Sequence, residues 1–256
     1  MARAGRNLFT GFSLDAPYVT ETRRILQTLG RRTQDSGQRV FMVTSAARGE
    51  GKSTICALLS IVAAKALGRN TLLIDADLRR PTIHHLLGMS PRPGLFEFLE
   101  GRVSFDTAMR PTLLPKLSVI SSGAHPARPG EAYRDETFAA LVKRVRGAFD
   151  LVFIDSAPVV PVVEPLLMAE HVDGVIAVVM AGKTPVPLVR RMRDILTPAA
   201  QKLVGVIVNN ASSQLPYYYD YRYYGYPGQE AHSRRARQGP TIHSDSHPSG
   251  SRAYKL

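Results

Sequence analysis

A chain of 256 residues, 44% of them hydrophobic, has room for one α/β domain with extensions and a sizeable core. Its single cysteine, Cys56, excludes an internal disulfide and suits a reducing cytoplasm; the longest apolar stretch, Val175 to Ala181, is far short of the ~20 residues of a membrane helix, and no apolar run of a signal peptide follows the early basic residues. The net charge of +12 invites a nucleic-acid or anionic-lipid reading. However, much of it lies toward the ends, at Arg23, Arg24, Arg31, Arg32 and Arg39 and again at Arg234, Arg235, Arg237, Arg252 and Lys255. No helix-turn-helix, zinc or RNA-binding motif accompanies it, so a solvated basic surface with no specific nucleic-acid partner is expected, and at most a weak attraction to anionic membranes.

Residues 1–17 read as an irregular, flexible N-terminus, and a helix is predicted from Tyr18 to Leu29, closed by Gly30. Val40 to Ser45 reads as a strand. It runs into Ala46-Ala47-Arg48-Gly49-Glu50-Gly51-Lys52-Ser53-Thr54 and then into an apolar helix ending near Leu67, with Gly68 as its stop. A β-branched strand, a glycine turn and a helix start are what a phosphate-binding loop requires. The glycines let backbone N–H groups converge on an anion, and the helix N-terminus adds partial positive charge. Lys52 is placed for the terminal phosphates of ATP and Ser53 for Mg²⁺, with Gly49, Glu50, Gly51 and Thr54 completing the loop. The full pattern begins with glycine where this chain has Ala46, and a glycine turn with a chance lysine is the plainer alternative for the loop alone.

Thr71-Leu72-Leu73-Ile74-Asp75-Ala76-Asp77 reads as a buried parallel strand ending in two acids, at the end of a strand where ligands bind in open α/β sheets. One acid can cap the next turn. Two in series after a phosphate loop point to Mg²⁺ and a reacting hydroxyl. Residues 82–130 are rich in Pro and Gly, with a short strand at Leu117 to Ile120, and His84, His85 and His125 read as surface residues without ligand spacing. A helix is expected from Glu131 to Arg146. Leu151 to Ile154 followed by Asp155 has the Walker B pattern, in which the acid holds Mg²⁺ directly or through water. A helix near Pro161 to Glu170, strands at Gly174–Met180 and Leu203–Asn209, and a helix at Val186–Leu196 follow. Asn209 ends the last strand, where its side chain can meet a purine ring. The alternation predicts a doubly wound, mostly parallel sheet flanked by helices, an α/β fold of the P-loop NTPase type. Seven of the ten tyrosines fall within residues 217–226, beyond the last strand: Tyr217, Tyr218, Tyr219, Tyr221, Tyr223, Tyr224 and Tyr226. The chain thus divides into residues 1–17, a P-loop domain at 18–212 and a tyrosine-rich, basic tail at 213–256 with no hydrophobic period, expected to be disordered. A sticky aromatic patch or packed strand is the bland account of the tyrosines; a modifiable tail is the sharper one.

In combination, Gly49 to Thr54, Leu73 to Pro81, Val152 to Pro158 and the tyrosine cluster resemble the bacterial tyrosine autokinases that govern capsule and exopolysaccharide synthesis. The likeness runs from Tyr18 to the tail. It departs from the family at Arg48, where proline is usual, at Ala157 in place of the first proline of a pair, and at Gln27. There Glu21 and Arg24 match an oligomerisation motif whose last arginine is absent. The resemblance implies ATP-dependent tyrosine phosphorylation with Lys52, Asp75 and Asp77 as catalytic residues, and Mg²⁺ organised by Ser53, Asp77 and Asp155. It also implies a ring-forming homo-oligomer, the tail tyrosines as phosphoacceptors, a membrane polysaccharide co-polymerase as activator, a tyrosine phosphatase as antagonist, and a cytoplasmic place at the membrane's inner face through that partner. Two alternatives stay open. One is an ATP-driven dimerisation switch of the septum-placing or partitioning type, although Ala47 stands where such proteins carry a second lysine. The other is a non-catalytic ATP-binding adaptor of polysaccharide export.

Overall fold

The structure, a computed structural model, describes residues 7–9 and 12–211, and within them seven strands form one sheet. In chain order they are β1 (Val40–Ser45), β2 (Thr71–Asp75), β3 (Met109–Pro111), β4 (Leu117–Ile120), β5 (Leu151–Asp155), β6 (Gly174–Met180) and β7 (Leu203–Asn209). Across the sheet the order is β3-β4-β2-β5-β1-β6-β7, with every pair parallel except β3 with β4. The predicted doubly wound, mostly parallel sheet is present. β1, β2 and β5 are buried along their whole length, which is why they read as unbroken apolar runs.

Eight α-helices among the described residues cover the sheet: α1 (Pro17–Ser36), α2 (Lys52–Leu67), α3 (Ile83–Leu87), α4 (Leu95–Leu99), α5 (Phe105–Ala108), α6 (Asp135–Ala148), α7 (Glu164–Ala169) and α8 (Val186–Ile195). Alternate strand residues feed two cores. Phe41, Val43, Leu73 and Phe153 pack with Leu26 of α1 and Cys56 and Leu59 of α2. Val40, Met42, Ile74 and Ile154 pack with Phe138 of α6, Met168 of α7 and Met192 of α8. Phe41 and Phe153 are fully buried with rings 6.3 Å apart, and burial of each contributes about 2–3 kcal/mol. Cys56 is free and fully buried, and burial pushes its thiol pKa well up; the core role read from the sequence holds.

The structure differs from the sequence reading at several elements. α1 runs through Gly30 to Ser36 and stops at Gly37, whose φ is +65°. A glycine inside a helix costs only about 1 kcal/mol, and the buried stripe Val19, Thr22, Leu26, Leu29 carries the helix past it. α6 begins at Asp135 because Pro129–Ala132 forms a 3-10 turn and Tyr133 turns inward, its hydroxyl donating to the Ala76 carbonyl. α7 is shorter than expected, beginning at Glu164. The Pro- and Gly-rich region holds α3, α4, α5 and the edge strand β3, each too short for a periodic signal. His84 is buried rather than on the surface. Its ring lies 3.9 Å from that of His85, and burial, then His85, His125 and Arg110, lower its pKa.

Register brings the acids together. Asp75 pairs across the sheet with Asp155, and Asp155 with Val43 of β1, so β2, β5 and β1 end at one level. From β1 the chain crosses to β2 on one side of the sheet, and β6 and β7 lie on the other, so the crevice opens where the winding changes direction.

Candidate phosphate-binding site

β1 delivers the loop and α2 receives it. Gly49 and Gly51 have φ of +76° and +88°, in the left-handed region that favours glycine. A Cβ on Gly51 would also meet Asn209 Nδ2 at 2.2 Å, so a side chain there is excluded twice. α2, 16 residues long, starts at Lys52 with Gly51 as its N-cap and no side chain over its first N–H groups. A cleft of about 600 Å³ opens above this terminus. Of the site residues predicted from sequence, Gly49, Gly51, Lys52, Ser53, Thr54 and Asp77 line it. Glu50, Asp75, Asp155 and Asn209 are not among its lining residues.

Lys52 is the hub. Its Nζ donates to Asp77 Oδ2 at 2.9 Å, Asp155 Oδ1 at 3.4 Å and Ser53 Oγ at 3.1 Å. Burial opposes its charge, but Asp155 and Asp77 outweigh that and hold the ammonium well above its ordinary pKa. Asp155 is fully buried. Burial raises its pKa, while Lys52 and the Ser53 hydroxyl pull it back. Its Oδ2 has no hydrogen-bond partner. An orphaned carboxylate oxygen beside a hydroxyl and a second acid is costly in a protein interior and suits a hard cation with oxygen ligands. Among the described residues no three His, Cys, Asp or Glu side chains are grouped to hold a metal alone. Mg²⁺ needs fewer, because it keeps waters and takes phosphate oxygens.

Asp75 departs from its expected placement. It ends β2 but is fully buried. Its carboxylate accepts from Asp77 N at 3.3 Å and from Thr82 N and Ile83 N at 3.2 and 3.1 Å, so it caps α3. Burial, then Asp155, raises its pKa. Asp77 is the acid of the pair that reaches the cleft. Asn209 is held against the loop: its Nδ2 donates to the Glu50 carbonyl at 3.0 Å and its Oδ1 accepts from Asn210 N at 2.8 Å.

Sequence reasoning passed over four residues. Arg48 and Arg80 line the cleft and are exposed, leaving their charge available to an anion. Thr184 and Lys183, in the turn after β6, touch the loop: Thr184 Oγ1 donates to Glu50 Oε1, and Lys183 Nζ to the Gly49 carbonyl at 3.2 Å. The only sequence signal for the turn was its place at the carboxyl end of a strand beside β1. Glu21 and Arg24 form a 2.7 Å ion pair on α1, with Arg24 exposed. Tyr217, Tyr218, Tyr219, Tyr221, Tyr223, Tyr224 and Tyr226 lie outside the described residues.

Comparison with known proteins places this geometry. The ParA family model, described as NUBPL iron-transfer P-loop NTPase, matches residues 36–236. The chain is 33% identical over 191 residues to the tyrosine-protein kinase YwqD of Bacillus subtilis, covering 75% of this chain and 79% of that protein. It is 35% identical over 190 residues to the succinoglycan biosynthesis transport protein ExoP of Rhizobium meliloti, but spans only 24% of that longer protein. The solved kinase domain of the Escherichia coli tyrosine kinase ETK superposes with a TM-score of 0.69 at 27% identity, over 75% of this chain and 74% of that one.

Proposed function

Because the chain belongs to the ParA-type P-loop NTPases and, within that fold, to the bacterial tyrosine-protein kinases, we propose that it transfers the γ-phosphoryl group of ATP to its own C-terminal tyrosines and so regulates polysaccharide synthesis and export. The observation that carries this reading is Lys52 held between Asp77 and Asp155 at the mouth of the loop, with Asp155 Oδ2 unpartnered. Phosphoryl transfer asks mainly for positioning and charge neutralisation. The loop N–H groups and the α2 N-terminus take the phosphates, and Lys52 exchanges its acid partners for phosphate oxygens. Ser53, Asp77 and Asp155 would hold Mg²⁺, which when bound neutralises phosphate charge. The tyrosine oxygen attacks the γ-phosphorus, the bridging oxygen leaves with ADP, and the phenolic proton, of ordinary pKa near 10, passes to a carboxylate. Asp77 is the acid at the cleft wall; Asp75 fixes the Asp77 backbone and the start of α3 behind it.

The acceptor tyrosines, Tyr217 to Tyr226, are delivered to a neighbouring subunit, with Glu21 and Arg24 of α1 as contacts between copies. Each phosphate adds about −1.5 to −2 charges, which drives the tail from an acidic site and loosens assembly. A membrane polysaccharide co-polymerase acts as activator, a tyrosine phosphatase reverses the modification, and the chain works at the inner membrane face through that partner. No helix among the described residues is long and apolar enough to cross a membrane.

The ParA model keeps a dimerisation-switch reading in view, but Ala47 lacks the second cation such a switch uses. The test mixes a Lys52→Met chain that keeps its tail with an active chain cut after residue 212. Phosphotyrosine is expected on the inactive chain. No phosphotyrosine there, with ATP-dependent DNA binding at physiological salt, would replace the kinase with the switch.

A further inference from the structure

A phosphate loop that contains a carboxylate faces a like-charge conflict. Glu50 sits between Gly49 and Gly51, two residues before Lys52, and is only 2% exposed. A buried carboxylate is tolerated where its oxygens are hydrogen-bonded. Here both point away from the cleft. Oε2 accepts from Ala47 N at 2.7 Å, which closes the loop on itself, and Oε1 accepts from the Thr184 hydroxyl. That hydroxyl in turn accepts from Met180 N at 2.9 Å, tying it to the end of β6. The Glu50 carbonyl accepts from Asn209 Nδ2 at the end of β7, and the Gly49 carbonyl from Lys183 Nζ. The ends of two strands therefore grip the back of the loop at successive residues.

We propose that Glu50 is a positioning residue of the phosphate loop rather than a nucleotide or metal ligand, and that Thr184 and Asn209 are its anchors, setting nucleotide affinity from outside the cleft. Two consequences follow from the geometry. First, the Thr184 hydroxyl keeps a negative charge turned from the phosphates. Without it, Oε1 loses its donor, and the carboxylate is free to swing toward the anion that the loop is built to hold. Second, Asn209 joins the loop to the last strand just before the chain that carries the tyrosines, so the grip on the loop and the root of that segment share one hydrogen bond.

The proposal needs nucleotide binding at the loop but not a tyrosine acceptor, so its failure and that of the kinase reading are separable. The experiment titrates the full chain with a fluorescent ATP analogue, with and without Mg²⁺. Thr184→Val is expected to raise Kd about tenfold, the effect of losing one hydrogen bond to a charged group, and equally in both conditions. Thr184→Ser, which restores the hydroxyl, is expected within threefold of the parent, and Asn209→Ala to raise Kd threefold to tenfold. If Thr184→Val does not fold, Asn209→Ala decides by the same criterion. Parental affinity in these variants, Thr184→Ser as weak as Thr184→Val, or a loss confined to Mg²⁺ would overturn the proposal, the last by making Glu50 part of a metal site.

Discussion

Lys52→Met is expected to lower phosphoryl transfer by at least about 100-fold to 1000-fold, the effect of removing one preorganised charge from a transition state. The structure adds a cost that the motif alone does not show. Lys52 is the cation shared by buried Asp77 and Asp155, and removing it leaves both acids without their buried counter-charge, which costs about 3–5 kcal/mol. The sign of the pH dependence follows. Burial already raises the folded-state pKa of Asp155, and without the cation nothing of Lys52 remains to pull it back toward that of the unfolded chain. Such an acid destabilises the fold fully above its raised value, and the deficit vanishes as pH falls toward the unfolded value of about 4. Urea midpoints of parent and variant should therefore converge as pH falls from neutral toward about 4. A constant gap would mean that the acids are not what the lysine neutralises, and full phosphorylation by a folded Lys52→Met chain would remove it from the reaction.

Asp155→Asn is expected to act in opposite directions on binding and stability. Burial holds the Asp155 pKa above the ordinary carboxylate value despite Lys52, so its ionised form is a net liability in the fold at neutral pH. A neutral isostere relieves that liability, and thermal unfolding of the protein alone should shift upward. The same change replaces the unpartnered Oδ2 with a group that does not ligate a hard cation well. Mg²⁺-dependent nucleotide affinity should fall at least tenfold, while affinity in chelator stays near that of the parent. Calorimetric titration with and without Mg²⁺ measures the first effect and a melting curve the second. A lower melting temperature with intact Mg²⁺ dependence would reverse the assignment.

Much of this was legible in the sequence because the central strands are continuous apolar runs, of which β1, β2 and β5 are buried along their whole length. β1, β2, β5, β6 and β7 fall where unbroken apolar runs end in Ser, Asp, Met or Asn, and α2 starts and stops at glycines whose φ is positive. Spacing also identified Lys52, Ser53, Asp77 and Asp155 as one constellation, which the register of β2, β5 and β1 assembles. What spacing did not carry is direction. Asp75 and Asp77 are equivalent in a motif, yet the chain turns after β2 so that the first caps α3 and the second meets Lys52. Asn209 was placed at the right strand end, but its bond to the Glu50 carbonyl was not legible, because it depends on a close approach that glycine at 51 permits. Thr184 was invisible for the same reason: its contact with Glu50 is long-range, and Gly182-Lys183-Thr184-Pro185 reads as an ordinary turn.

The claim that this site is a kinase acting on its own tail is tested most directly by mass spectrometric mapping of phosphotyrosine after incubating the full chain with ATP and Mg²⁺. Phosphate is expected on Tyr217, Tyr218, Tyr219, Tyr221, Tyr223, Tyr224 and Tyr226, absent from Tyr133, which is buried with its hydroxyl on the Ala76 carbonyl, and absent altogether from the Lys52→Met chain incubated alone. ATP consumed with no phosphotyrosine anywhere on the chain would contradict it.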